Sequence, residues 1–301
     1  MTSFSLLERA ELVGPAAASV SATGRRLTRG RLELEFIADP DARTYLGRQY
    51  ASHPFHVCRV QFHDSDLPGL ATLYLQSCSG GLYEDDNLDV RIVACAHSEA
   101  HVSTQASTVV HTMPSGCAQQ HLRIEAQSRS YLEYLPDPQI LFPSSRCSST
   151  MNVCVGDGAT VLVSDSFLQH DPDGANRAFS AYFSEIKIED DAGKTLAIDR
   201  LKLDGRTLKS QCPGITGLFV AQGTLVVARV DSLPLSMLTE LQKIRFDYRE
   251  AAVGVSILPK AAGLIIRVLA VDGEMLKRIM HAYWCAARLA LKGTLPAARR
   301  K

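Results

Sequence analysis

Three stretches of similar pattern decide the fold of this chain: IVACAHSEAHVSTQ at residues 92–105, LRIEAQSRSYLEYL at 122–135 and MNVCVGDGATVLVS at 151–164. Each begins with apolar or small residues at every second position, which is typical of a half-buried strand. A small residue follows eight positions after each start, and a second strand-like run comes directly after it. The stretches begin 30 and then 29 residues apart. A strand–turn–strand unit repeated at this period predicts the stacked coils of a β-solenoid.

The same alternation extends outward from these stretches. LELEF at residues 32–36 places apolar side chains on one face and carboxylates on the other, and short apolar runs continue to about residue 230. We therefore expect a mainly β body over about 28–230, although a β-sandwich with regular hairpins would give the same pattern. Residues 1–27, rich in Ala and Ser, predict a flexible leader, and residues 28–301 predict one domain.

The C-terminal part predicts two α-helices added to the β body. The first covers about 234–248, with Pro234 in its first turn and Leu at three-residue spacing. The second covers about 274–291, with Asp272 as N-cap and Gly293 as stop signal. Between the helices, the apolar runs 252–258 and 264–271 predict two strands.

The second predicted helix carries an apolar face that includes Leu276, Met280 and Tyr283. Lys277, Arg278, His281 and Arg288 fall largely off this face. Such a stripe either packs on the core or binds a partner protein. The sequence does not distinguish between these two alternatives. Leu276, Met280 and Tyr283 are the candidates for partner binding.

Composition excludes several classes of protein. Lys+Arg and Asp+Glu both number 32, so the basic excess of a nucleic-acid-binding protein is missing. No segment approaches the roughly 20 apolar residues of a membrane span, and Glu8 and Glu11 interrupt the N-terminal stretch, which argues against an export signal. Eight cysteines occur without a CxxC pair, which indicates reduced core thiols in a cytoplasmic protein. Alternatively, one of these thiols contributes to a path for a soft metal ion.

Motifs for phosphate binding, serine hydrolysis and zinc-dependent proteolysis are not found in the sequence. His97 and His101 lie on a predicted strand about 13 Å apart, too far for one metal ion. The sequence therefore predicts neither an enzyme nor a stably bound cofactor.

Four carboxylates beside apolar runs are more informative, because burying a charge is costly unless the charge is paired or has a task. They are Asp86, Glu133, Asp165 and Asp199. Each could satisfy backbone donors or a neighbouring cation. Alternatively, these oxygen donors could line an internal passage that holds a divalent ion weakly enough to release it.

Three segments resemble signatures of the UreD (also called UreH) family of urease accessory proteins. LYLQSCSGGLYEDDNL at residues 73–88 is similar to its Gly-Gly turn followed by a GGD-type segment, and STQASTVVH at 103–111 is similar to its TQASTKV-type strand. EYLPDPQILFP at 133–143 resembles its E-[WY]-LP-x-P-x-I-x-[FY]-P run, the most specific of the three. The resemblance covers residues 30–210 well.

The resemblance implies a mainly β, helically stacked fold with C-terminal helices. It implies a complex with the accessory proteins UreF and UreG, docking on the urease apoprotein, and a dimer of such complexes formed through UreF. UreG supplies the GTPase activity in the family, and Ni(II) passes through an internal tunnel on its way to urease.

By position, Asp86 matches the aspartate of the family's GGD segment. Asp165 matches the acidic residue after the third repeat, and Asp199 matches the one before Arg in an [ED]-R-L segment. Asp85 departs from the family, which commonly has Gly at this position. A positive φ at Asp85 would be tolerated at some cost.

Two other classes of function compete with this one. A β-solenoid enzyme acting on sugars would use a carboxylate pair such as Asp165 and Asp199 in an open groove. The single Trp and the aromatic content of 7% leave few side chains for sugar stacking. A plain interaction module would have no metal path at all, and an internal passage lined by carboxylates separates it from the nickel scaffold.

The isolated chain is expected to self-associate, because its zero net charge and 46% hydrophobic residues leave little repulsion between exposed docking faces. Light scattering on the purified chain, alone and co-expressed with UreF, measures this. A monodisperse monomer at high concentration without its partner would contradict the expectation.

Overall fold

The computed structural model describes residues 29–299, with the exception of Ala42, Asp231, Ser232 and Pro234. The predicted leader at residues 1–27 and the helix-starting Pro234 therefore lie outside the described residues. No helix in the described part of the chain is long and apolar enough to cross a membrane.

The described chain is mainly β, with helices near its C-terminus, as predicted. In chain order the strands are β1 (Arg29–Ala38), β2 (Thr44–Ala51), β3 (Phe55–Val57), β4 (Ala71–Ser77), β5 (Asn87–Ala94), β6 (Glu99–Thr104), β7 (Thr108–Val110), β8 (Ala118–Ala126), β9 (Tyr131–Tyr134), β10 (Gln139–Leu141), β11 (Arg146–Val155), β12 (Thr160–Gln169), β13 (Ala181–Asp190), β14 (Thr195–Leu203), β15 (Ala221–Ala228), β16 (Ala251–Ile257) and β17 (Gly263–Ala270). The α-helices are α1 (Gly205–Lys209), α2 (Leu235–Lys243) and α3 (Gly273–Lys292).

The first sheet has the strand order β14-β13-β11-β8-β5-β1-β2. Its five central strands are parallel, and the antiparallel strands β2 and β14 form the edges. Inward positions such as Leu34 and Ile92 are buried in the core, whereas outward positions carry charged pairs such as Arg91 with Glu125, 3.0 Å apart. The alternation in the sequence thus produces a sheet with one buried and one solvated face.

The second sheet packs its inner face on the first, with the strand order β16-β17-β15-β12-β9-β6-β4-β3. Strands β4, β6, β9 and β12 are parallel, and the two sheets together form a β-solenoid of about four turns. The parallel coils exclude the sandwich alternative. Strands β15 to β17 extend the sheet in antiparallel fashion. Every residue of β15 is buried, because helices cover the outer face of this sheet.

The structure corrects the period of the repeat. The sequence pattern aligned Ile92 with Leu122 and Met151, but in the first sheet Ile92 pairs with Ile124, and Ile124 pairs with Val153. The first offset is therefore 32 residues rather than 30, while the second is 29 as predicted. Because side chains alternate between faces with a period of two, an error of two residues leaves each one on its predicted face.

Helix α3 agrees with its prediction within one residue at each end. The side chain of Asp272 accepts a hydrogen bond from the backbone N–H of Met275 at 2.7 Å, and Gly293 ends the helix with φ 75°. Helix α2 ends at Lys243, five residues before the predicted end. Ile244 and Phe246 both pack into the core beside α3, and two residues separated by this spacing cannot share one face of a helix.

The apolar face of α3 packs on the outer face of the second sheet. Leu276 and Tyr283 are buried there, so the core alternative describes these two residues, and they present no surface to a partner in the folded chain. Met280 is only partly buried. Arg288, which the helical pattern placed off the apolar face, is 1% exposed.

A buried ion pair explains the position of Arg288 and joins α3 to the solenoid. Its guanidinium donates two hydrogen bonds to the carboxylate of Glu133 in β9, at 2.7 and 2.6 Å. Glu133 also accepts hydrogen bonds from Nδ1 of His101, at 2.7 Å, and from the hydroxyl of Tyr131, at 2.5 Å. Burial alone would raise the pKa of Glu133, but the hydrogen bonds from His101 and Arg288 lower this pKa well below its usual value. Burial lowers the pKa of His101 to about 4, so its ring is neutral at pH 7.

Arg288→Met is expected to lower the free energy of unfolding by about 3–5 kcal/mol, because it leaves the carboxylate of Glu133 buried without its cation. Urea denaturation followed by circular dichroism measures this loss. Arg278→Met on the same helix is the matched control, since the exposed Arg278 only pairs with Glu250 at 3.5 Å. Its cost is expected to stay within about 1 kcal/mol. Equal losses in the two variants would contradict the anchoring role of Arg288.

Candidate functional site

A cavity of about 520 Å³ lies between the inner faces of the two sheets. On the first sheet its lining includes one row of inward positions on neighbouring strands, namely Leu88 of β5, Gln120 of β8 and Ser149 of β11. The row continues to Ser184 of β13. Separate apolar clusters lie on its two sides. The interior of the solenoid is thus interrupted by a polar layer that crosses the strands.

Asp165 of β12 faces this layer from the second sheet. Its Oδ1 accepts a hydrogen bond from the hydroxyl of Tyr182 at 2.8 Å. Burial raises the pKa of Asp165, hydrogen bonds from Ser184 and Tyr182 reduce that rise, and the negative charge of Asp199 adds to it. Asp165 is the only one of the four predicted carboxylates in the lining of this cavity.

A gap in the second sheet opens beside Asp165. The first half of β12, up to Val163, pairs with β9, and its last three residues pair with β10. Residues 164–166 lie between these two ladders, opposite the Pro136–Pro138 segment. Proline has no N–H to donate to a ladder, so the two prolines keep the sheet open at this level. We call this gap the proline window.

A second cavity, of about 320 Å³, lies on the other side of the proline window beneath α3. Both cavities are lined by Pro136, Asp137, Ser164 and Ser166. The helix side of the second cavity carries basic and aromatic groups: Lys277, His281, Trp284 and, from the C-terminal segment, Arg299. The interior of the solenoid and the space beneath α3 therefore meet at the proline window.

Asp199 of β14 is close enough to raise the pKa of Asp165, but it is not in the lining of either cavity. Its carboxylate pairs with Arg267 of β17. This pair joins the edge of the first sheet to the extension of the second.

Asp86 lies in the turn that precedes β5. Its buried side chain accepts a hydrogen bond from the backbone N–H of Tyr83 at 2.8 Å. Asp85 beside it has φ 63°, which is the positive value that explains why Gly is suited to this position. Glu84 accepts a hydrogen bond from the backbone N–H of Ser115 at 2.7 Å. These contacts give the acidic turn a structural role and hold Asp86 outside the cavity lining.

The structure thus separates the four predicted residues. Asp165 and Asp199 lie near each other at one end of the interior, Asp86 lies in a turn, and Glu133 is taken up by the ion pair with Arg288. No group of three or more His, Cys, Asp or Glu side chains within the described ranges could hold a metal ion. A divalent ion in the interior cavity would meet the carboxylates of Asp165 and Asp137 together with hydroxyl and amide oxygens, which are labile ligands.

The polar row of the interior cavity was not predicted from the sequence. Gln120, Ser149 and Ser184 each stand two positions before the first apolar residue of an inward row. A polar residue at the same place in three successive coils was the available signal. Recognising this signal requires the correct pairing of the strands, which the alternation of apolar and polar residues does not determine.

Sequence comparisons show which known proteins this chain resembles. A family model described as UreD urease accessory protein matches residues 28–301. The chain is 36% identical to "Urease accessory protein UreD 1" of Pseudomonas syringae pv. syringae over 275 residues, which cover 91% of this chain and 96% of that protein. It is 37% identical to the protein of the same name from Methylorubrum extorquens, with 97% of each chain covered. It is 32% identical to "Urease accessory protein UreD" of Haloarcula marismortui, with 87% of each covered.

Asp165→Asn is expected to stabilise the fold at pH 8. Because burial raises the pKa of Asp165, ionisation costs folding free energy at pH values above that raised pKa. The cost falls as the pH is lowered and is gone below the unfolded-state pKa of about 3.9. An asparagine keeps an oxygen for Tyr182 without the charge. Urea midpoints of the variant and the parent should therefore approach each other as the pH is lowered from 8 toward 4.

Glu185→Gln is the matched control, because Glu185 of β13 pairs with Arg200 and is not among the groups that shift the pKa of Asp165. It should be neutral or destabilising by up to about 1 kcal/mol at pH 8. Destabilisation by Asp165→Asn that is the same at every pH would contradict the cost assigned to its buried charge.

Proposed function

Because this chain belongs to the UreD urease accessory protein family, we propose that it is a non-catalytic scaffold that helps to deliver Ni(II) to the urease apoprotein. A role in urease maturation follows from the family match over residues 28–301. The relatives are named as accessory proteins rather than as enzymes. Nickel is the cargo in this proposal, and no stably bound cofactor is required.

The interior cavity is the observation that supports a path for nickel through the protein. It runs across neighbouring strands, and the carboxylates of Asp165 and Asp137 lie in its lining together with the oxygens of Gln120 and Ser149. Such a set attracts a divalent cation but does not enclose it, because a closed site would need more strong ligands. Weak ligation of this kind suits transit rather than storage.

The proposed path is the interior cavity and not the space beneath α3. Lys277 and Arg299 line the second cavity, and their positive charges oppose the entry of Ni(II). Asp137 is the one carboxylate in its lining. Electrostatics therefore favour passage of the cation between the sheets.

The proposed partners are UreF, UreG and the urease apoprotein, assembled in the cytoplasm as a dimer of complexes through UreF. The sequence has no phosphate-binding loop, which agrees with a GTPase activity supplied by UreG. The surfaces that meet each partner are separate from the apolar side chains of Leu276 and Tyr283, since both are buried.

The competing functions fit the geometry less well. A sugar-cleaving enzyme needs two carboxylates facing an open groove, but Asp165 faces the interior cavity and Asp199 is paired with Arg267. A plain interaction module would give no reason for a polar layer inside the solenoid. Assays of urease activation by cavity variants distinguish that module from a nickel path.

Ser149→Met and Asp165→Asn are expected to lower urease activation without reducing assembly. The first fills the cavity from one wall, and the second removes its carboxylate charge. The measurements are the complex recovered by pull-down with the partners and the urease activity after incubation with nickel. Activity per recovered complex should fall in both variants.

Ser148→Met is the matched control, because Ser148 precedes Ser149 on β11 and faces outward. It should keep both assembly and activation. Asp86→Ala and Asp199→Ala, made in parallel, test whether the path extends beyond the cavity. If activity at Ser149 and Asp165 falls only in proportion to recovered complex, the nickel path is refuted and the plain scaffold remains.

A further inference from the structure

The cavity beneath α3 has a chemistry that differs from that of the interior. Lys277 and Trp284 of α3 line one side, Arg299 of the C-terminal segment closes another, and Ser164 and Ser166 of β12 form the floor. Most of the polar groups here are hydrogen-bond donors. The volume of about 320 Å³ is sufficient for a small ligand.

Two buried donors in this lining lack acceptors. The indole N–H of Trp284 and the Nε–H of Arg299 have no hydrogen-bond partner within the described part of the protein. Trp284 is 3% exposed, and the guanidinium of Arg299 lies over its ring, 4.4 Å from the centroid. Buried donors are nearly always paired, so two unpaired donors in one cavity lining require an explanation.

The lining itself carries more positive than negative charge. The neighbouring Arg288 pairs with both Glu133 and Asp64 and adds no positive charge, and Asp137, 4.0 Å from Arg299, is the one carboxylate of the lining. Lys277 forms no ion pair with any described residue. Two cations and one carboxylate leave a net charge of about +1 in the lining, since burial and the charge of Arg299 lower the pKa of His281 and keep it neutral.

We propose that this cavity binds a small oxyanion, such as a carboxylate or phosphate, between Trp284, Arg299 and Lys277. An anion there would offset the positive charge of the lining, and small shifts of the Trp284 and Arg299 side chains would bring their unpaired N–H groups to it. Arg is suited to oxyanions because it donates several N–H groups in one plane, and Lys adds a positive charge. This inference stands independently of the nickel path, since it concerns the opposite side of the second sheet.

The chain offers a direct probe, because Trp284 is its only tryptophan. Sodium acetate and sodium phosphate are titrated into the full chain at fixed pH and ionic strength, with sodium chloride as the reference. A saturable change in tryptophan emission with either probe is the expected result. Repeating the titration on the complex with the partners separates two sources of the ligand: a free anion keeps the response, whereas a partner's carboxylate already in the cavity abolishes it.

Arg299→Gln should lose the response and Lys277→Gln should shift its midpoint to higher concentration. Arg278→Gln is the matched control, because Arg278 follows Lys277 but pairs with Glu250 outside the cavity, and it should keep the response. Lys277 is exposed, so its variant tests the site even if Arg299→Gln loosens the C-terminal segment. No saturable response in the parent chain, or an unchanged response in both cavity variants, would overturn the proposal.

Discussion

The ion pair between Arg288 and Glu133 is the interaction that fixes how the helical layer sits on the solenoid. Removing two charges from water costs several kcal/mol for each ion, and only good geometry with further hydrogen bonds offsets this cost. Glu133 meets that condition through four hydrogen bonds, from Arg288, His101 and Tyr131. Apolar contacts alone would allow α3 to slide or rotate on the sheet. The charged pair favours the arrangement that places Trp284 and Lys277 over the cavity beneath α3.

The acidic residues of this chain show that environment, rather than residue type, determines what a carboxylate does. Glu133 is held ionised by its partners, whereas burial raises the pKa of Asp165. Asp86 accepts a backbone hydrogen bond in a turn, and Asp199 joins two sheet edges through Arg267. Asp165 also has a partner, the hydroxyl of Tyr182, but it differs from the other three because it lines a cavity. Asp165 lies beside the proline window, where the interior cavity with its carboxylates meets the cavity beneath α3, which is lined by Lys277 and Arg299.

The coils, the strands and the C-terminal helix could be predicted from the sequence because each depends on local periodicity or capping. The alternation of residues 32–36 and the caps at Asp272 and Gly293 are signals of this kind. The pairing of Ile92 could not be fixed to better than two residues, since alternation repeats with that period. The partner of Arg288 lies 155 residues away, beyond the reach of any helical pattern. The cavity depends on which coils stack, so it became visible only once the strand register was known.

The polar row of the interior has a consequence for scale. Its members Gln120, Ser149 and Ser184 occupy successive strands of one parallel ladder, and neighbouring strands lie about 4.8 Å apart. The row is therefore about 10 Å long, and its length is counted in whole coils. A coil gained or lost during evolution would lengthen or shorten it by one fixed step while keeping its cross-section. The number of coils therefore sets the separation of the two ends of the solenoid.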